Sequence, residues 1–524
     1  MENDFQELLA CVRKPLRTVQ DGRDGAIRCL LAQEMDGQAE SRSDCREVMF
    51  LPPLFPENLG GGGFLEKHHL RFPYVAGEMA HGISTTSMVI AMARAGMLCF
   101  FGAAGLSVES VEAAITEIER DLGSVDGNPA GGSWGVNLIH SPRQPQLERE
   151  LVHLFLDRGV RRVSASAFMK ITPPLVQYAC SGLQLKDGVI GRRNFLFAKI
   201  SRPEIARQFM SPAPESILQQ LVCEGLLTAD EAELAAYVPL AEDITAEGDS
   251  GGHTDNRPLT VLLPTIIRLR DALCERYRYS ASIRIGAAGG LGCPASVAAA
   301  FALGAAYVVT GSINQSAIES GTSQVVRELL ASATMADVAM APAPDMFELG
   351  VKVQVLRRAT LFGARATKLH AIYVSHPSLE AISSAVRAQL ERDIFQAPLE
   401  EIWARVRKYW MERDPRELDR AEVQPKHRMA LVFRWYLGLS SLWAQNGELD
   451  RAVDYQVWCG PAVGAFNDWV RGSFLEDVRQ RTVVQIALNL LEGAAVLTRA
   501  HQLRLSGVPV PERAAGFRPR PLLL

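Results

Sequence analysis

The chain has 524 residues, 48% of them hydrophobic and 22% charged, enough to bury a large core and to divide into more than one unit. Its formal net charge of -4 leaves no basic surplus for a nucleic-acid backbone, so nucleic acid is excluded as an expected partner. Nine cysteines are scattered without a CxxC pair or a Cys/His spacing that closes a metal site, and a reduced, cytoplasmic protein without a metal is expected.

In chain order, Asp4, Glu7 and Arg13 interrupt the N-terminus before a secretory h-region can form. No stretch approaches the uninterrupted apolar length of a bilayer span, so no membrane is expected. Residues 1–63 end in Pro52-Pro53, Pro56 and the run Gly60-Gly61-Gly62-Gly63, which predicts an N-terminal appendage on a flexible joint. Eight short apolar or β-branched runs follow, at 74–77, 97–101, 134–139, 161–166, 195–200, 238–247, 282–287 and 306–310. Amphipathic helical patterns alternate with them, at 85–95, 107–121, 146–158, 214–224, 259–276 and 294–303. Eight β/α units is the number that closes a parallel sheet, so residues 64–375 are expected to form a (β/α)8 TIM barrel, an α/β fold. A loop with Pro342, Pro344, Met346 and Phe347 and a helical stretch through Tyr373 would cover the substrate after the eighth strand. Residues 376–507 read as a helical domain, because six of the seven tryptophans lie in the last third of the chain. The tail 508–524, with four prolines and several arginines, is expected to be disordered.

Barrel enzymes carry their chemistry at the C-terminal ends of the strands. After the first strand stands Gly77-Glu78-Met79-Ala80-His81-Gly82, whose glycines would let backbone pass close to a flat ligand. An ordinary glycine turn explains this motif at least as well. Asn137 is an amide within an apolar third strand and needs partners, which a heterocycle or the cap of the next helix would supply. Lys199 places a charge in the apolar run Phe195-Leu196-Phe197-Ala198-Lys199-Ile200, a costly arrangement unless an anion or electron-rich group meets it. The sixth strand runs into Glu247-Gly248-Asp249-Ser250-Gly251-Gly252-His253, where glycines free the backbone and His253 can exchange a proton near neutral pH. Ala288-Gly289-Gly290 leads to a helix opened by Pro294, and Gly311-Ser312 ends the eighth strand. Glycine loops after strands seven and eight at a helix N-terminus form the usual phosphate site of a barrel. With no GK[ST] loop, that site suits flavin mononucleotide (FMN) better than a nucleoside triphosphate.

These residues resemble the FMN-dependent nitronate monooxygenase group, which includes flavin enoyl-carrier-protein reductases. The matching motifs are the Met79-Ala80 loop, Gly135-Val136-Asn137, Lys199, Asp249-Ser250-Gly251-Gly252-His253, Ala288-Gly289-Gly290 and Gly311-Ser312. The first loop departs from the group's Pro-Met-Ala-Gly type, having Gly77-Glu78-Met79. Nearly the whole chain is similar to the narrower PfaD family of trans-acting enoyl reductases of polyketide and polyunsaturated fatty acid synthases. That likeness rests on Ala95-Gly96-Met97 running into Phe100-Phe101-Gly102-Ala103, on Phe347-Glu348-Leu349-Gly350-Val351-Lys352-Val353-Gln354, and on Trp458-Cys459-Gly460-Pro461-Ala462 with Gly464-Ala465-Phe466-Asn467.

The resemblance implies FMN as cofactor, NADPH as reductant, and substrates held by acyl carrier protein domains. On that reading the catalytic residues are His253, which itself or through a group it orients protonates the α-carbon, and Lys199, which with strand-end amides is a candidate to stabilise negative charge on the thioester oxygen; Lys199 and Asn137 also hold the polar edge of the flavin. The cofactor-binding set is Gly77, Glu78, Met79, Asn137, Lys199, Asp249, Gly251, Gly252, Ala288, Gly289, Gly290, Gly311 and Ser312. Arg405, Arg407, Arg413 and Arg428 on the C-terminal helices are candidates to steer an acidic carrier, with a solvated helix face as the plain alternative. A homo-oligomer is compatible with the sequence. The competing activity is a nitronate monooxygenase or related flavin oxidase acting on a small free substrate. A non-catalytic flavin-binding scaffold is a third reading.

Overall fold

The structure, a computed structural model, describes residues 2–32, 45–123, 133–142 and 144–524, so residues 33–44 of the expected appendage lie outside the description. The chain forms two compact units. One comprises Met1–Gly248, Arg257–Ser320 and Asp468–Leu524; the other comprises Asp249–Asn256 and Gly321–Asn467. The units divide differently from the expected bounds: the N-terminal residues and everything from Asp468 onward belong with the barrel, while residues 321–375, expected to close the barrel segment, belong with the second unit.

The first unit is built on eight parallel strands: β1 (Tyr74–Ala76), β2 (Leu98–Phe101), β3 (Gly135–Ile139), β4 (Arg162–Ser166), β5 (Phe195–Ile200), β6 (Asp243–Glu247), β7 (Arg284–Ala288) and β8 (Val308–Thr310). They pair in chain order, and β8 closes onto β1 through Val308↔Tyr74 and Thr310↔Ala76, the expected TIM barrel. The crossover helices start where capping chemistry directs. Thr85 accepts from the Met88 amide ahead of Thr86–Arg94, Ser107 accepts from Ser110 ahead of Val108–Leu122, and proline opens Pro145–Asp157, Pro203–Met210 and Pro294–Ala302.

The run at Gly60–Gly63 is not a flexible joint. Gly62–His68 is a helix whose Phe64 and His68 are fully buried, with Phe64 stacked on Tyr307 at 4.3 Å. A Cβ on Gly60 would stand 2.3 Å from the Ala306 carbonyl oxygen, so glycine is demanded here by close approach. The helix brings His68 to the N-terminal ends of the strands. There His68 Nε2 lies 3.0 Å from Asp243, Arg284 binds the same carboxylate through two nitrogens at 2.6 and 2.7 Å, and Arg162 Nε donates to His68 Nδ1 at 3.3 Å. Asp243, Arg284 and Arg162 each begin a strand, so this charged cluster stands at the end of the barrel associated with stability rather than catalysis.

Residues 508–524 are also ordered, contrary to expectation. Val508, Val510, Ala514 and Ala515 are buried in a core with Leu9, Leu16, Leu51 and Leu503, because the prolines alternate with apolar side chains that this surface accepts. The helix Val483–Leu505 has the length and composition of a bilayer span, which revises the expectation that no segment does. Most of it is buried, however, and Gly493 allows Pro294 to pack against it, so it is a core helix of this unit.

The second unit contains an antiparallel sheet of β9 (Val338–Pro342) and β10 (Lys352–Leu356), with the two-residue strand Gly252–His253 on the outer side of β10. Helices Phe362–Ser375, Leu399–Arg413 and Pro425–Asn446 enclose an aromatic core of Phe347, Phe362, Phe395, Phe433, Tyr436 and Trp443.

Burial lowers His68 below its ordinary 6.5 against the pull of Asp243, while His68 and Arg284 overcome burial to hold Asp243 well below 3.8. The unfolded chain thus takes up protons that the folded chain refuses, and these contributions to stability are full above the unfolded values and lost on acidification. The thermal midpoint is expected to decline as pH falls below 6.5 and to decline more steeply below 3.8. Asp243→Asn, which leaves Arg284 only the Glu242 carboxylate at 3.4 Å, is expected to cost about 3 kcal/mol in denaturant unfolding at neutral pH.

Candidate active site

Lys199, the next-to-last residue of β5, meets the counter-charge its apolar strand requires. Its Nζ lies 3.1 Å from Glu78 Oε1, in the loop leaving β1, and 3.5 Å from Glu247 Oε1, the last residue of β6. Ser166, the last residue of β4, donates to Glu78 Oε1 at 2.6 Å. Asn137 of β3 donates through Nδ2 to the Ser164 carbonyl at 3.1 Å and to Ser166 Oγ at 3.0 Å. Both amide hydrogens of Asn137 are thus committed to protein, which leaves its Oδ1 as the atom able to accept from a ligand. One connected network joins the catalytic-side ends of β1, β3, β4, β5 and β6.

Electrostatics keep this network ionised. Burial pushes the Glu78 carboxyl up, but the Lys199 charge and the Ser166 hydrogen bond outweigh it and hold the group below 4.5. Burial likewise opposes the charge on Lys199, and Glu247 and Glu78 together hold its ammonium well above 10.5. The departure at Glu78 from the wider group's first loop is therefore matched by a charge on another strand.

The glycine loops meet on the same face. Gly77 N–H donates to the Thr310 carbonyl at 2.8 Å, and the Ser84 hydroxyl accepts from Met79 N–H and donates to the Gly77 carbonyl, fixing the Gly77-Glu78-Met79 loop. Gly248 N–H donates to the Ala288 carbonyl at 2.8 Å, and Ala288 pairs with Val309. Gly289 and Gly290 adopt φ of +86° and +73°, a left-handed conformation natural to glycine. A Cβ at Gly290 or Gly311 would meet nothing within 4 Å, so backbone there borders open space ahead of the helix Pro294–Ala302. Adjacent glycine loops, open space and a helix start are what a flavin phosphate requires, and the residues present fit FMN.

The remaining expected residues group in the second unit. Asp249 Oδ1 accepts from Gln354 Nε2 and from Asn256 Nδ2, each at 2.8 Å. Gly252 and His253 pair with Gln354 and Val353, and His253 Nε2 lies 3.3 Å from Asp345 Oδ1. Burial would raise Asp345, but the hydrogen bond and charge of His253 hold it below 3.8. Gly251 has a structural reason of its own: a Cβ there would stand 2.7 Å from the Cys459 backbone, and one on Gly460 would stand 3.0 Å from Ser250 and Gly251. Neither Ser166 nor Glu247 belongs to the set of site residues expected from the sequence. An acid closing the sixth strand was a signal for Glu247, whereas Ser166 carried none.

Comparison with known proteins agrees with this architecture. Residues 376–455 match the family described as [acyl-carrier-protein] S-malonyltransferase, inserted helical domain. The enoyl reductase domain of MlnA, from the macrolactin biosynthesis cluster of Bacillus amyloliquefaciens, superposes with a TM-score of 0.80 at 39% identity, over 85% of this chain and 100% of that one. A polyunsaturated fatty acid synthase component of Thraustochytrium sp. is 44% identical over 478 residues, 89% of this chain and 32% of that protein. Polyketide biosynthesis protein PksE of Bacillus subtilis is 44% identical over 442 residues, 84% of this chain and 56% of that protein. The chain thus spans only part of these longer relatives. A TIM barrel with a charged network at its catalytic end, aligned along the full length of an enoyl reductase domain, is an enzyme of the oxidoreductase type. The chain belongs to the PfaD family, the enoyl reductases associated with polyketide and polyunsaturated fatty acid synthases.

Lys199→Met leaves Glu78 and Glu247 facing each other without a cation and is expected to lower stability by about 3 kcal/mol. Adding Glu78→Gln should recover part of that loss, as a double-mutant cycle in urea would measure. Gly251→Ala forces a methyl into the Cys459 backbone and is expected to cost about 1–3 kcal/mol, read as earlier melting.

Proposed function

We propose that the chain is a cytoplasmic, trans-acting, FMN-dependent enoyl reductase. It would use NADPH to reduce the α,β double bond of polyketide or fatty acyl thioesters held by acyl carrier proteins. The observation that carries this reading is the ionised Lys199 network beside the open glycine loops of β7 and β8, within a chain 39% identical to an enoyl reductase domain.

Backbone N–H groups around Gly289, Gly290, Gly311 and Ser312 would hold the phosphate of FMN, and Lys199 and Asn137 Oδ1 would hold its polar ring edge. FMN bound there would supply the redox chemistry, taking a hydride equivalent from NADPH and passing it to the activated double bond. Ser166 orients both Asn137 and Glu78, and Glu78 and Glu247 hold Lys199 in place and charged. His253 is assigned the α-carbon proton on its sequence position, directly after Gly251-Gly252 beyond the sixth strand.

The carrier-protein partner is inferred from the synthase relatives. Three of the candidate steering arginines are engaged within their own unit: Arg405 pairs with Glu401, Arg428 pairs with Glu380 and lies over the Trp403 ring at 4.9 Å, and Arg413 donates to the Tyr409 hydroxyl. Such pairs are exchangeable with an acidic partner at small cost, since exposed ion pairs contribute little.

Purified protein is expected to show a flavin visible spectrum that NADPH bleaches. NADPH oxidation with a crotonyl thioester should exceed oxygen uptake on a nitronate; the reverse result assigns the flavin oxidase activity. His253→Ala is expected to retain FMN and lose roughly 100-fold in thioester reduction.

A further inference from the structure

The first unit holds a second pair of titratable side chains on the same rim of the barrel, unused by the cluster around Lys199. His140 directly follows β3, and its backbone N–H donates to the Ser166 carbonyl at 3.0 Å. Because the Ser166 hydroxyl binds Glu78, His140 is joined to the network through a single residue. The imidazole is fixed on two sides. Its Nδ1 lies 3.2 Å from Glu148 Oε2, and its ring stacks on Phe168 with centroids 4.9 Å apart and planes 27° from parallel. Glu148 is itself 4% exposed, and its other oxygen accepts from the Thr172 hydroxyl.

Glu148 occupies the first turn of Pro145–Asp157, where the helix dipole favours a carboxylate. That accounts for the buried charge being tolerated; it does not account for the imidazole placed against it. With Nδ1 facing the carboxylate, any exchange of His140 with a ligand runs through Nε2, which has no hydrogen-bond partner among the described residues. A ring held by a buried carboxylate and an aromatic face, with one nitrogen left over, is a hydrogen-bonding group whose orientation is set before substrate arrives, and in a protonated imidazole both nitrogens donate.

We propose that His140, oriented by Glu148, donates a hydrogen bond from Nε2 to the carbonyl oxygen of the α,β-unsaturated thioester. Negative charge develops on that oxygen as hydride reaches the β-carbon, and a preorganised donor there stabilises the transition state more than the bound substrate. Glu148, which holds the ring at Nδ1, is a positioning residue. This assignment rests on the enoyl reductase reading above.

The FMN-loaded enzyme and its His140→Gln, His140→Ala and Glu148→Gln variants, checked for flavin content and thermal midpoint, test it with NADPH and a crotonyl thioester. His140→Gln is expected to lower kcat roughly 100-fold, with KM for the thioester within about twofold. Flavin bleaching by NADPH without thioester should keep its wild-type rate. Glu148→Gln is expected to lose about tenfold, and added imidazole should restore part of the rate of His140→Ala. A His140→Gln enzyme with wild-type kcat, or one slowed equally in bleaching by NADPH, overturns the role of His140. A wild-type enzyme that binds FMN and oxidises NADPH but leaves the thioester untouched overturns the enoyl reductase reading itself, and this step with it.

Discussion

Burying the Lys199 ammonium in an apolar barrel strand is the constraint around which the first unit is arranged. An isolated charge at that depth costs several kcal/mol, so β5 can adopt its position only if anions arrive from other strands. They come from both directions around the barrel, Glu78 from the loop of β1 and Glu247 from the end of β6. Glu78 in turn needs Ser166, and Ser166 is held by Asn137. Satisfying one charge therefore fixes the catalytic-side ends of five strands, which is also what a cofactor site needs.

The two ends of the barrel use the same chemistry for different purposes. At the N-terminal end, Asp243, Arg284, His68 and Arg162 form a sealed cluster under the helix Gly62–His68, with their partners all supplied by protein. At the other end, the groups around Lys199 adjoin glycine backbone that faces open space. A charge cluster is thus no sign of an active site by itself; which end of the strands it occupies decides its meaning.

In the second unit, small residues do the work that charges do in the first. Gly251 and Gly460 bring two backbone segments to a separation that no side chain would permit, and Gln354 ties Asp249 and Ser250 to β10. The family string around Cys459 and Gly460 is accounted for by this contact. His253 is held in a strand pair with Asp345 at its imidazole, an arrangement that orients the ring.

The sequence by itself determined the barrel, because each strand carries a local signature of apolar or β-branched residues bounded by glycine, proline or a capping side chain. It also marked Lys199, Asn137 and the loops at Gly289 and Gly311, since a charge in an apolar run or a glycine at a strand end stands out without knowledge of its neighbours. Tertiary structure alone decided the partners. Glu78 and Ser166 are 88 residues apart and meet only because β1 and β4 enter the same closed sheet, and His140 and Glu148 acquire meaning only on the rim where β3 ends. The glycine run at 60–63, the proline-rich tail and the apolar helix Val483–Leu505 misled in the same way. Composition describes what a segment would do in water, whereas its structure here depends on distant surfaces that accept its apolar side chains and on close approaches that admit no side chain at all.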